Sequence, residues 1–155
     1  MSDAEQSFAT LWESLLPVGR DSGTGGYRRF SWTPADASAR SWFMDAAAVR
    51  NLRTYADRNG NLWASWDPDP EPVLAAGAIV TGSHLDSVPD GGAYDGPLGV
   101  VTAFAAIDML RERGRRPARP VTVSRHRPCG QIPAASPTAA PRSASARPCS
   151  MCSST

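Results

Sequence analysis

Residues 81–100 read TGSHLDSVPDGGAYDGPLGV and gather His84, Asp86 and Asp95 among five glycines. An imidazole and a carboxylate brought to one point are ligands for zinc, manganese or cobalt, and they suit those ions better than calcium. Asp86 stands two residues after His84, close enough to accept a hydrogen bond from one ring nitrogen. A carboxylate in that position fixes the tautomer and leaves the other nitrogen free for a metal. Asp95 follows His84 by eleven residues, and Gly91, Gly92 and Gly96 let the loop between them fold back. Each residue also has a plainer role. His84 could be a satisfied polar side chain, Asp95 a helix cap, and Asp86 and Asp90 turn residues. Those roles do not account for all of them meeting at one place.

The elements that must position these residues are legible on either side. AIVTG, just before His84, reads as a buried strand, and PLGVVTAFAAIDMLRERG reads as a helix with Val100, Phe104, Ile107 and Leu110 on one side. A second apolar run begins at Val121. Strand, loop, helix and strand make a βαβ unit, which predicts an α/β fold with a mostly parallel sheet flanked by helices. His84 then lies at the C-terminal end of its strand, the edge where such sheets hold ligands. Upstream, Phe8, Leu11, Trp12 and Leu15 repeat with helical spacing. Thr33-Pro34 is a helix start, with Asp36 in the first turn and Trp42, Phe43, Ala46 and Val49 as the stripe to be buried. Asn59-Gly60 marks a hairpin, and DPDPEP reads as an exposed turn.

The 155 residues suit one domain, and the composition is that of a globular protein. No apolar run reaches membrane-spanning length, and MSDAEQSF has no signal character, so a cytoplasmic protein with no membrane partner is expected. The net charge of +1 conceals an asymmetry. Residues 124–155 hold four of the 16 basic residues and none of the 15 acids. They also hold all three cysteines and show no periodicity, so they read as a disordered Arg/Pro/Ser/Ala-rich tail. Every basic residue is arginine, as in a protein from a GC-rich genome. An alternative function is a short non-catalytic protein whose tail binds an acidic partner. Four dispersed arginines without aromatic neighbours give that little support, and no nucleic-acid partner is expected. Cys149-x-x-Cys152, with Cys129 and His126, is a weak zinc pattern.

GSHLDSVPDGGAYDGPLGV resembles the metal-ligand motif of the M20 metallohydrolases, in the branch of N-carbamoyl-L-amino-acid hydrolases, β-ureidopropionases and allantoate amidohydrolases. The resemblance extends over nearly all of residues 5–123. TGGYRRFSWTPADASARSWF, DRNGNLWASW and AIDMLRERGRRPARPVTV are similar to neighbouring parts of those enzymes. It implies that residues 1–123 are part of a catalytic domain that holds two divalent ions (Zn, Mn or Co). His84 would be a ligand of one ion, Asp95 the bridging carboxylate and Asp86 the catalytic-site partner that orients His84. It further implies hydrolysis of a C–N bond in a small ureido or carbamoyl compound, in a parent enzyme that is a homodimer. The family's paired glutamates are expected just after the strand at Pro120, where this chain reads SRHRPCGQ. His126 lies near that place but fits no family motif. The expectation is an out-of-frame reading from about codon 124, and a truncated chain without activity.

Overall fold

The computed structural model describes residues 3–67 and 77–126. Its elements are α1 (Asp3–Leu15), α2 (Pro34–Val49), β1 (Arg53–Ala56), β2 (Leu62–Trp66), β3 (Ile79–His84), α3 (Pro97–Glu112) and β4 (Val121–His126). The four strands form one sheet in the order β1-β2-β4-β3, flanked by the helices. The DPDPEP segment beyond Asp67, the three cysteines and all of residues 127–155 lie outside the described residues.

Local chemistry accounts for the boundaries. Thr33 caps α2: its hydroxyl accepts from the Asp36 N–H at 3.4 Å, and Pro34 opens the helix. Such a cap contributes about 1 kcal/mol. Gly60 adopts a left-handed φ of 81° in the β1–β2 hairpin, where Asn59-Gly60 was read as the turn. α1 ends against Arg29, a buried side chain whose Nε and Nη2 donate to the Val18 and Leu15 carbonyls at 2.7 and 3.3 Å. The Leu15 carbonyl, which also accepts from the Val18 N–H at 3.0 Å, ends the helix. The Val18 carbonyl lies in the turn that follows, so the guanidinium ties the two together.

The core lies between the sheet and the helices. Phe43 of α2 and Phe104 of α3 meet at 5.2 Å between ring centroids. Leu62 and Ala64 of β2, Val123 of β4 and Val100 and Ile107 of α3 join the same cluster. Burying side chains of this size contributes about 1.5–3 kcal/mol each. Leu11 and Leu15 of α1 are buried as their spacing predicts, with Phe8 and Trp12 partly so. Val49 is 82% exposed and does not belong to the α2 stripe, which runs through Ala39, Phe43, Ala46 and Ala47 instead. At 100° per residue Val49 stands about 120° around the helix from Phe43, too far to share its face.

Three further expectations are corrected. The sheet is not mostly parallel over the described residues: β3 and β4 pair in parallel, whereas β4–β2 and β2–β1 are antiparallel. The crossover through α3 constrains only β3 and β4, and the hairpin adds to the free side of β4 as a two-stranded ribbon. Second, β3 stands at an edge among the described strands, and there Ile79, Val80 and Thr81 are exposed rather than buried. Third, residues 124–126 are not part of a structureless tail. β4 continues through Ser124, Arg125 and His126, and Arg125 is fully buried.

Gly82 shows why β3 and β4 can run so close. Its φ is 148°, and a Cβ there would sit 1.9 Å from the Ser124 carbonyl oxygen. Only glycine meets both conditions.

Candidate metal centre at the end of β3

β3 delivers His84 to the C-terminal end of the parallel pair, and the loop 85–96 returns the chain to the N-terminus of α3 beside it. His84 Nδ1 lies 3.1 Å from the Asp86 backbone carbonyl and 3.3 Å from the Asp86 carboxylate oxygen Oδ1. The single Nδ1–H points at the carbonyl. The buried Oδ1 is therefore a charge contact with no hydrogen bond of its own. This fixes the tautomer and turns Nε2 away from Asp86. Nε2 lies 3.7 Å from Asp95 Oδ1. The structure thus brings all three residues expected from the sequence together. Asp86 is buried behind the imidazole, and Asp95, with 59% of its side chain exposed, faces solvent in front of it.

Two glycine-dependent contacts shape this arrangement. Gly96 has φ +86°, and a Cβ there would meet the His84 ring at 2.5 Å and the His84 carbonyl at 2.7 Å. The loop itself is held by residues that sequence spacing alone did not single out. Tyr27 and Gly91 exchange backbone hydrogen bonds, Arg29 and Ser87 do so through N–H, carbonyl and hydroxyl, and Asp90 accepts from Thr24 and Arg28. The segment 24–29 is therefore a latch on the motif loop. Tyr94, the residue before Asp95, stacks on Trp12 of α1 at 4.9 Å with planes 12° apart. The signal for that contact is a surplus aromatic on a helix whose leucines already fill the core.

A second buried group lies close behind. Arg125 donates through Nη2 to Asp36 Oδ1 at the start of α2, while its Nε and Nη1 have no hydrogen-bond partner. Burial pulls the guanidinium's pKa down; Asp36, and Asp86 more weakly, oppose this, and Arg40 adds to it. His126 is the register partner of His84 on the neighbouring strand, but its Nε2 meets the Ser124 hydroxyl at 2.9 Å and its ring abuts Trp63. It stays out of the site.

The donor set fits a first-row divalent ion through two ligands, an imidazole nitrogen with a fixed tautomer and an accessible carboxylate. Among the described residues no group of three or more His, Cys, Asp or Glu could hold a metal. Tight sites use three or four protein ligands, so these two would give weak binding.

The His84 pKa is raised above its ordinary 6.5, first by the Asp86 carboxylate beside Nδ1, then by the hydrogen bond to the Asp86 carbonyl and by the Asp86 and Asp95 charges, against partial burial. A raised folded-state pKa means that protonated His84 stabilises the fold. That contribution is complete below about 6.5 and fades as pH rises through the folded value. In an NMR titration of the imidazole, the His84 midpoint is expected above 6.5 in the native chain and lower in Asp86→Asn. Equal midpoints would contradict the contact.

No family model matches the chain. Relatives and solved structures do. The chain is 36% identical over 103 residues to the ureidoglycolate hydrolase of Arabidopsis thaliana, a match covering 66% of this chain and 21% of that protein. It is 33% identical over 118 residues to the N-carbamoyl-L-amino acid amidohydrolase of Geobacillus stearothermophilus, covering 73% and 27%. The fold matches a hydantoinase/carbamoylase family amidase from Burkholderia ambifaria with TM-score 0.69 and 27% identity, over 79% of this chain and 29% of that one. The architecture is therefore that of part of an amidohydrolase catalytic domain. More narrowly, its relatives and structural neighbours are those of the M20 branch of ureidoglycolate hydrolases, N-carbamoyl-L-amino-acid amidohydrolases and allantoate amidohydrolases. The chain spans about a quarter of the length of the curated relatives it matches. Among the described residues no helix is long and apolar enough to cross a membrane.

Proposed function

We propose that this chain carries the first part of the metal site of an amidohydrolase that cleaves a C–N bond in a small ureido or carbamoyl compound. Its relatives are named for N-carbamoyl-L-amino acids, ureidoglycolate and allantoate. The observation that carries the reading is the approach of His84 Nε2 to Asp95 Oδ1, with Nδ1 held on the Asp86 carbonyl. His84 and Asp95 would hold zinc, manganese or cobalt, and Asp86 would keep the imidazole turned toward it. When bound, such ions polarise a substrate carbonyl and lower the pKa of water. The residues of the chain itself then orient the imidazole, place the proton of its neutral form on Nδ1 and leave the Asp95 carboxylate open to solvent. With two ligands the chain alone is expected to bind metal weakly and to turn over no substrate.

Cobalt(II) titration followed by visible absorption tests this. The native chain is expected to show weak, saturable binding that disappears in His84→Ala and Asp95→Ala. Binding unchanged in both variants would remove the metal site from these residues. Turnover of allantoate or an N-carbamoyl amino acid by the purified chain with Mn2+ would show that it holds more of the catalytic apparatus than these two ligands.

A further inference from the structure

The motif loop is held unevenly. Its first half is tied to the segment 24–29 at Ser87, Asp90 and Gly91. Its second half is bracketed by Gly92 and Gly96, and nothing lies within 4 Å of where a Gly92 Cβ would stand. This looser half carries Asp95, the residue that faces His84 Nε2. The Asp95 carboxylate is 59% exposed and, among the described residues, accepts no hydrogen bond. The Tyr94 carbonyl accepts from the Leu98 N–H at 3.4 Å. That bond stays within the start of α3 and ties the segment to no other element.

One side chain does reach across. Tyr94 lays its ring on Trp12 of α1, with 4.9 Å between centroids and 12° between planes. Trp12 also stacks on Phe8, one helical turn earlier, at 5.9 Å and 5°. Phe8 and Trp12 are both packed against the core, whose share of α1 is already filled by Leu11 and Leu15. An aromatic pair of this kind is worth about three- to tenfold in an equilibrium constant. We propose that Trp12 is a positioning residue of the metal centre. Through its stack on Tyr94 it holds the backbone that presents Asp95 to His84, so the carboxylate is in place before an ion arrives. Such pre-organisation removes an ordering cost that a loose loop would bring to binding. The inference rests on the metal reading of His84 and Asp95 given above, and it gives α1 a part in the centre beyond packing.

Backbone 15N relaxation of the full, metal-free chain reads the positioning, and cobalt(II) titration reads its consequence. In the native chain the Ala93 and Asp95 amides are expected to have order parameters of about 0.85, the value of rigid backbone. In Trp12→Leu and in Tyr94→Leu they should fall toward about 0.6, while those of Ser87 and Gly91 stay high. Cobalt affinity should fall by about three- to tenfold in each variant. The two combined should lose no more, since both remove the same contact. Trp12→Phe, which keeps a ring, should recover most of both losses. Phe8→Leu should change neither, because Phe8 has no ring contact with Tyr94. Native order parameters in both single variants overturn the proposal, as do losses that simply add in the double variant. If the native chain binds no cobalt but the order parameters respond as expected, the metal reading fails while Trp12 still positions Asp95. If cobalt binding depends on His84 and Asp95 but is indifferent to Trp12→Leu and Tyr94→Leu, the metal reading stands and the positioning role fails. Should Trp12→Leu unfold, Tyr94→Leu decides, because its ring is largely outside the core.

Discussion

Asp36→Ala is expected to destabilise the fold by about 3–5 kcal/mol, the cost of leaving one member of a buried ion pair without its partner. A domain of this size is stable by about 5–15 kcal/mol, so the variant should be close to unfolding. Arg125 has no exposed surface and Asp36 very little. Two of the three guanidinium nitrogens already lack a hydrogen bond, so removing Asp36 strips the only one that is satisfied. The effect should reverse when both charges go. Asp36→Ala combined with Arg125→Met replaces the pair by apolar volume, and such exchanges are often neutral or stabilising. Urea denaturation followed by far-UV circular dichroism reads both variants. A single variant within about 1 kcal/mol of the native chain would mean that Asp36 does not compensate the buried charge.

Gly96→Ala should have the larger effect on the metal centre. Alanine would have to adopt a φ of +86° with its methyl group 2.5 Å from the imidazole and 2.7 Å from the His84 carbonyl. The ring could swing aside, but the carbonyl belongs to the strand and cannot. Backbone strain of this kind costs about 1–3 kcal/mol, and the steric conflict adds to it. The imidazole is expected to leave the Asp86 carbonyl. Its titration midpoint should then fall back toward the ordinary histidine value, and cobalt binding should drop with it. A variant with the native midpoint and native cobalt affinity would show that Gly96 does not set the position of His84.

These two sites also mark what the sequence could and could not disclose. His84, Asp86 and Asp95 were legible because their spacing is local: strand end, tight loop and helix start all lie within residues 84–97. Thr33, Pro34 and Asn59-Gly60 were legible for the same reason, since caps and turns depend on near neighbours. The partner of Asp36 was not. It lies 89 residues away on β4, and no periodicity links the two. Asp36 suited the helix dipole well enough to hide its other role. The exposure of β3 was misread because AIVTG has the composition of a central strand. Only the order of the described strands places it at an edge. The reach of β4 was set too short, because a serine, an arginine and a histidine do not resemble the end of a buried strand. Arg125 is nonetheless inside, held by a carboxylate that its own segment does not contain.

The place of β4 in the sheet has a consequence for synthesis. It lies between β2 and β3 and is the only described strand that touches both. On the ribosome the β1–β2 hairpin, His84 and the α3 helix all emerge before it. Until Val121–His126 follows, β3 has no neighbour along its length, and the hairpin is not joined to the strand that bears the histidine. A nascent chain arrested ahead of Val121 would hold each of its helices and its hairpin without a shared sheet. Docking of the histidine-bearing strand to the rest of the described sheet is therefore timed by the arrival of β4.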